Sequence, residues 1–183
     1  MTDEIKILTQ PTPNPAAMKF VCNKDVKSEG KVSFSEMEQL EHIKLAREIF
    51  MLSNVTQVHF FENVITVTQN GLSEWEGLAE RIKKTIHLYL PDHDPSFMTA
   101  EEKRRENLPP ELQEIDAILE RTIRPGLQGD GGDVEVVELE GNSLAIRYEG
   151  ACGSCPSSAM GTLDAIRHIL RDEYHPEIEV FIV

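Results

Sequence analysis

The sequence predicts an α+β protein of two small domains, a mixed N-terminal module over residues 1–90 and a C-terminal domain over 111–183, joined by a linker over 91–110. Three observations carry this. Between Leu90 and Leu112, Pro91, Pro95, Pro109 and Pro110 bracket the polar run Glu101-Glu102-Lys103-Arg104-Arg105-Glu106, a composition suited to a connector. On both sides of that break apolar residues recur at helical spacing, and on both sides paired apolar runs flank turn residues. A chain of 183 residues has room for two such cores.

In the first domain residues 5–8 read as a strand, after which Pro11, Pro13 and Pro15 force an extended or turning path, and 18–22 read as a second strand. Ser35 and Glu38 have capping-box spacing and open a helix to about residue 52 on Leu40, Ile43, Ile49 and Phe50. The runs 55–61 and 64–68 flank Glu62-Asn63 and predict a hairpin. Ser73 with Glu76 repeats the capping signal, and Trp75, Leu78, Ala79, Ile82 and Ile86 then mark an amphipathic helix to about Leu90.

The second domain opens with a helix on Leu112, Ile115, Ile118, Leu119, Thr122 and Ile123, which Pro125-Gly126 is expected to stop. Residues 134–139 and 144–148 form strands around Gly141-Asn142; in the second, Leu144, Ile146 and Tyr148 alternate with Ala145, Arg147 and Glu149, giving a buried face and a wetter one. Pro156 suits the first helical position, ahead of the stripe Met160, Leu163, Ile166, Ile169 and Leu170, and 178–183 closes the chain as a strand. The order is αββαβ. In the connector, 99–106 has helical propensity but no apolar stripe to bury.

Eighteen bases against 32 acids give a net charge of −14, which disfavours a nucleic-acid partner, because the phosphate backbone is repelled by a field of that sign. The charge is uneven: 17 acids and 13 bases precede Leu108, whereas 15 acids and 5 bases, none of them lysine, follow from it. A solubilising surface accounts for this, and a specific basic partner is the alternative. Met1-Thr2-Asp3-Glu4 is acidic rather than basic and no long apolar run follows, so neither a targeting peptide nor a membrane span is expected. The expected compartment is the cytoplasm, where Cys22, Cys152 and Cys155 are thiols or metal ligands rather than disulfides.

Chemistry concentrates in Gly150-Ala151-Cys152-Gly153-Ser154-Cys155-Pro156. Two cysteines separated by two residues aim both sulfurs at one ion, and Gly153 eases the turn this requires. With Pro156 as the first helical residue, Cys155 becomes the N-cap, where free N–H groups and the helix dipole favour the thiolate that binds soft metals. A glycine-flanked turn offers little burial, so a pair of packed core thiols is the weaker reading. A thioredoxin-type dithiol is the rival, opposed by the single helix and strand left after the motif. Two cysteines are half the set that a structural zinc or a [4Fe–4S] cluster takes. His168, about three turns into the helix, and His175, at its far end, lie too far along to complete it. A twofold homodimer does complete it, with Cys152 and Cys155 from each chain.

From about Leu112 onward, in Arg124-Pro125, Asp130-Gly131-Gly132-Asp133-Val134 and Cys152-Gly153-Ser154-Cys155-Pro156, the chain resembles the NifU C-terminal (Nfu-type) iron–sulfur domain. Thr12-Pro13-Asn14-Pro15 followed by Met18-Lys19-Phe20 resembles that family's N-terminal module. The resemblance implies a [4Fe–4S] cluster bridged between two subunits by Cys152 and Cys155, received from an upstream scaffold and passed to apo-proteins. It implies a carrier without membrane or nucleic-acid partners rather than an enzyme, with the first domain as a recruiting or regulatory module. A redox dithiol and a zinc-bridged dimer remain the alternatives.

Three features are read as structural. Gly129-Asp130-Gly131-Gly132-Asp133 follows a helix and precedes a strand, the reverse of a phosphate-binding loop, and is a turn needing glycine backbone angles. Asp92-His93-Asp94 lacks the later ligands of a calcium loop. Cys22 has no partner at ligand spacing and reads as a core thiol. Arg124 and Arg147 are candidates either for hydrogen bonding near an anionic cluster or for simple solvation.

Overall fold

Five short runs of alternating apolar residues become strands β1 (Ile7–Pro11), β2 (Ala17–Cys22), β3 (Lys31–Phe34), β4 (Val55–Phe61) and β5 (Val64–Gln69). The computed structural model describes residues 4–153 and 156–183. These strands form one antiparallel sheet of order β1-β2-β5-β4-β3. Phe20, Ile65, Phe60 and Val32 fall opposite one another across four of them, and all four are buried. Helices α1 (Lys44–Phe50) and α2 (Trp75–Tyr89) cover this row with Leu45, Ile49, Leu78, Ile82 and Ile86. Each such side chain contributes roughly 1.5–3 kcal/mol by leaving water.

Local chemistry corrects three expectations here. The helix expected over 35–52 is broken into a 3₁₀ turn, Met37–Leu40, and α1, because Gln39 Oε1 accepts from the backbone N–H groups of Ser35 and Glu36 and caps the turn itself. Ser73 does not cap α2: its hydroxyl accepts from Asn54 Nδ2 at 2.7 Å, and Glu74 is the N-cap. The first strand runs on to Pro11, which β1 tolerates as an edge strand.

The chain divides into two compact units, Met1–Thr99 and Ala100–Val183, and the boundary falls inside the expected linker. That stretch is not a free connector, since both of its flanks are packed. Residues on the first flank return to the first unit: His93 donates from Nε2 to the Val26 carbonyl at 2.7 Å, its ring lies edge-on to Phe60 and Phe97, and Lys27 Nζ donates to the Phe97 carbonyl at 2.9 Å. Burial holds the His93 pKa below its ordinary 6.5, against the raising effects of the Val26 carbonyl and Asp94. Between the folded and unfolded values the unfolded chain binds more protons, so stability is full above about pH 6.5 and falls as the pH drops through the folded value. The urea midpoint of the first unit is expected to fall between about pH 7 and pH 5 more steeply in the native chain than in His93→Gln; equal slopes would contradict it.

The second unit contains α3 (Ala100–Arg105), α4 (Pro110–Thr122), α5 (Arg124–Gly129), β6 (Gly132–Glu140), β7 (Ser143–Gly150), α6 (Pro156–Glu173) and β8 (Glu179–Ile182). Its sheet has the order β6-β7-β8, the first pair antiparallel and the second parallel. Leu112, Ile115, Ile118 and Leu119 of α4 and Ile166 and Leu170 of α6 pack with Val134, Val136, Leu144, Ile146 and Val180 of the strands. The mixed helix-and-strand class is as the sequence predicts, with α5 added: Pro125 lacks an N–H and so opens a second helix instead of only ending the first. Met160 is 73% exposed, outside the stripe that reaches the sheet. The outward face of β7 is also drier than expected, because Ala145 and Glu149 are buried there. Among the described residues no helix is long and apolar enough to cross a membrane.

Candidate functional site

The site grows from the end of the β6–β7 ladder, where Gly132 faces Gly150. Gly131 (φ 81°) and Gly150 (φ 61°) adopt left-handed backbone that side chains resist, so the chain turns sharply at both. Ala151 N–H donates to the Gly131 carbonyl at 3.0 Å and Gly153 N–H to the Gly150 carbonyl at 3.2 Å, which fold the segment after β7 back over the start of β6. Cys152 thereby lands on Gly132. A Cβ built on Gly132 would lie 2.3 Å from Cys152 Sγ and 2.9 Å from its backbone nitrogen.

Cys152 is consequently buried, at 8% exposure, inside the core of the second unit. This corrects the expectation of little burial on a glycine-flanked turn, since the missing side chain of Gly132 makes the socket. Burial, followed by the nearby Cys152, pushes the Tyr148 hydroxyl up to about 12 against the opposing Arg167, so this neighbour keeps its proton at neutral pH. Pro156 is the first residue of α6, as expected. The expected N-cap ligand, Cys155, lies outside the described residues.

Arg124 anchors the turn that carries Gly132. Its guanidinium, 4% exposed, pairs with Asp116 and donates to Glu120 Oε2 at 2.8 Å on α4. It also donates from Nε and Nη2 to the Val134 carbonyl, both at 3.1 Å, and pairs with Asp133 Oδ1 at 3.3 Å. Gln128 Nε2 donates to the other Asp133 oxygen at 3.0 Å. The Asp-Gly-Gly-Asp run is thus a turn whose last acid points inward to a cation. Arg124 is committed to protein acceptors, and Arg147, half exposed, pairs with Glu135 at 3.5 Å.

The remaining candidates lie elsewhere. Burial raises the Cys22 thiol to about 12, so it is a protonated core thiol at neutral pH. His168 is exposed beside Asp172 and the His175 ring accepts from Glu177 N–H. Among the described residues no three His, Cys, Asp or Glu side chains gather into a metal-binding group.

Residues 115–181 match the family model of a NifU-like domain, and residues 7–93 match that of the scaffold protein Nfu/NifU N terminal. The human protein named NFU1 iron-sulfur cluster scaffold homolog, mitochondrial, is 34% identical over 178 residues, which cover 94% of this chain and 69% of that protein. The chain belongs to the NifU/Nfu family. Another relative, NifU-like protein 4, mitochondrial, from Arabidopsis thaliana, is 29% identical over 172 residues, covering 90% of this chain and 61% of its own length. A solution structure of a NifU-like protein from Saccharomyces cerevisiae aligns with 47% of this chain and 78% of its own, at 22% identity and a TM-score of 0.43.

The names of these Nfu-type relatives overturn the cytoplasmic expectation, for the human, Arabidopsis and Drosophila proteins are all named mitochondrial. That expectation rested on the acidic Met1-Thr2-Asp3-Glu4 and on the lack of a long apolar run.

Proposed function

We propose that this chain carries a [4Fe–4S] cluster between two copies of itself, on Cys152 and Cys155 of each, and hands it to apo-proteins without turnover chemistry of its own. The observation that carries the reading is the seat of Cys152, a thiol fixed by a side-chain-free socket four residues before the start of α6. Such a seat fixes one sulfur of the pair while the helix start offers N–H groups to the negative charge of a thiolate-bound cluster. Each chain then supplies half of a four-thiolate set, and an isologous contact supplies the rest. Two ligands per subunit at an interface leave room for a recipient's thiolates to compete, which is the physical basis of transfer. Membership of a family whose human member is named as a scaffold supports the same reading.

The test is transfer from the reconstituted chain to an apo-acceptor in the absence of chelator and reductant. Acceptor activity should appear with the native chain and fail with Cys152→Ala. Retention of the cluster by the native chain would instead indicate storage or a fixed redox role. The first unit is proposed to recruit clients: deleting residues 1–99 should spare cluster binding and slow delivery to some acceptors, and equal rates would remove that role.

A further inference from the structure

The polar run read as a connector forms α3, a helix with no buried residue of its own. Its contacts are ionic. Arg105 donates from Nε to Glu135 Oε1 at 3.1 Å and from Nη2 to Glu149 Oε1 at 3.2 Å, while Arg104 reaches Glu135 at 3.5 Å. Arg147 borders the group, 3.5 Å from Glu135 and 3.8 Å from Glu101. The side chains of Glu135 and Glu149 are only 2% and 5% exposed. Because Glu135 faces Arg147 across the ladder, Glu149 is its diagonal neighbour, so two buried acids lie close on the outer face of the sheet. One guanidinium serves both, which its planar fork suits better than an ammonium does.

We propose that α3 is a releasable clasp, held on the outer face of the second unit's sheet by Arg105 between Glu135 and Glu149. Six residues without an apolar face do not hold a helix in water, so undocking and unwinding of α3 are one event. Release lengthens the stretch between fixed points of the chain. With α3 docked, only residues 98–100 lie between Phe97, whose carbonyl Lys27 holds, and the ion pair of Glu101. With α3 released, the next fixed residue is the core residue Leu108, and the span rises from roughly 14 Å to roughly 38 Å at about 3.5 Å per step. The clasp therefore sets the length of chain between these two anchors, independently of what Cys152 binds.

Hydrogen exchange of the full chain, native against the double variant Glu135→Gln/Glu149→Gln, tests this. The amides of Arg104, Arg105 and Glu106, whose N–H groups bond back along α3, should exchange at least about tenfold faster in the variant, while those of Ile118, Val136 and Ile146 keep their native rates. Arg105→Lys, which keeps the charge and loses the fork, should accelerate the same amides to a smaller degree. Native exchange of residues 104–106 in the double variant would overturn the proposal. So would acceleration shared equally with the core amides, because the acids would then be general stabilisers.

Discussion

Gly132→Ala is expected to abolish iron loading and to destabilise the second unit by about 1–3 kcal/mol. The added methyl would sit 2.3 Å from Cys152 Sγ and 2.9 Å from its backbone nitrogen, and the latter belongs to main chain that cannot simply swing away. Either β6 shifts or the sulfur leaves its seat, and both outcomes misalign the ligand. Gly161→Ala is the matched control: a Cβ there meets nothing within 4 Å, and in the interior of α6 alanine should stabilise by up to about 1 kcal/mol. Urea unfolding and iron content of the two variants, measured side by side, check this. Native iron content in Gly132→Ala would mean that the position of Cys152 does not matter to the site.

Arg124→Ala is expected to cost about 3–5 kcal/mol in the second unit, the range found when one partner of a buried ion pair is removed. Asp133 is fully buried and would lose its cation, while Gln128 and the Val134 N–H still donate to it. The Val134 carbonyl would lose both of its guanidinium donors at the same time. Arg124→Lys should recover little, because a single ammonium cannot reach α4, Asp133 and the Val134 carbonyl together. The effect should extend to the site, since Asp133 adjoins Gly132. A loss below about 1 kcal/mol in denaturant titration would show that Arg124 is not the anchor of this turn.

These two residues also mark where the sequence stops being readable. Helical spacing was enough to find the buried stripes of α2 and α4, and turn residues were enough to find both hairpins, because those signals are local. The position of the Cys-x-x-Cys between the second hairpin and the last helix was equally plain. Gly132 was read only as a turn residue, since its closeness to Cys152 depends on the β6–β7 register and on a backbone reversal 18 residues further along. Arg124 carries no periodic signal: its partners lie on α4, on the turn and on β6, so the motif Arg124-Pro125 marks the residue without saying what it binds. The broken helix near Ser35 failed for a different reason, because a side-chain amide outcompeted the expected cap. Likewise α3 lacks an apolar stripe, and its fixation rests on acids 30 and 44 residues away.

The most direct test of a shared cluster is iron and acid-labile sulfide per chain after anaerobic reconstitution, with oligomer size taken on the same sample. About two irons and two sulfides per chain in a dimer are expected for one four-iron cluster held by Cys152 and Cys155 of both copies. Tightly held zinc, or negligible iron in a fully reduced monomer, would contradict it.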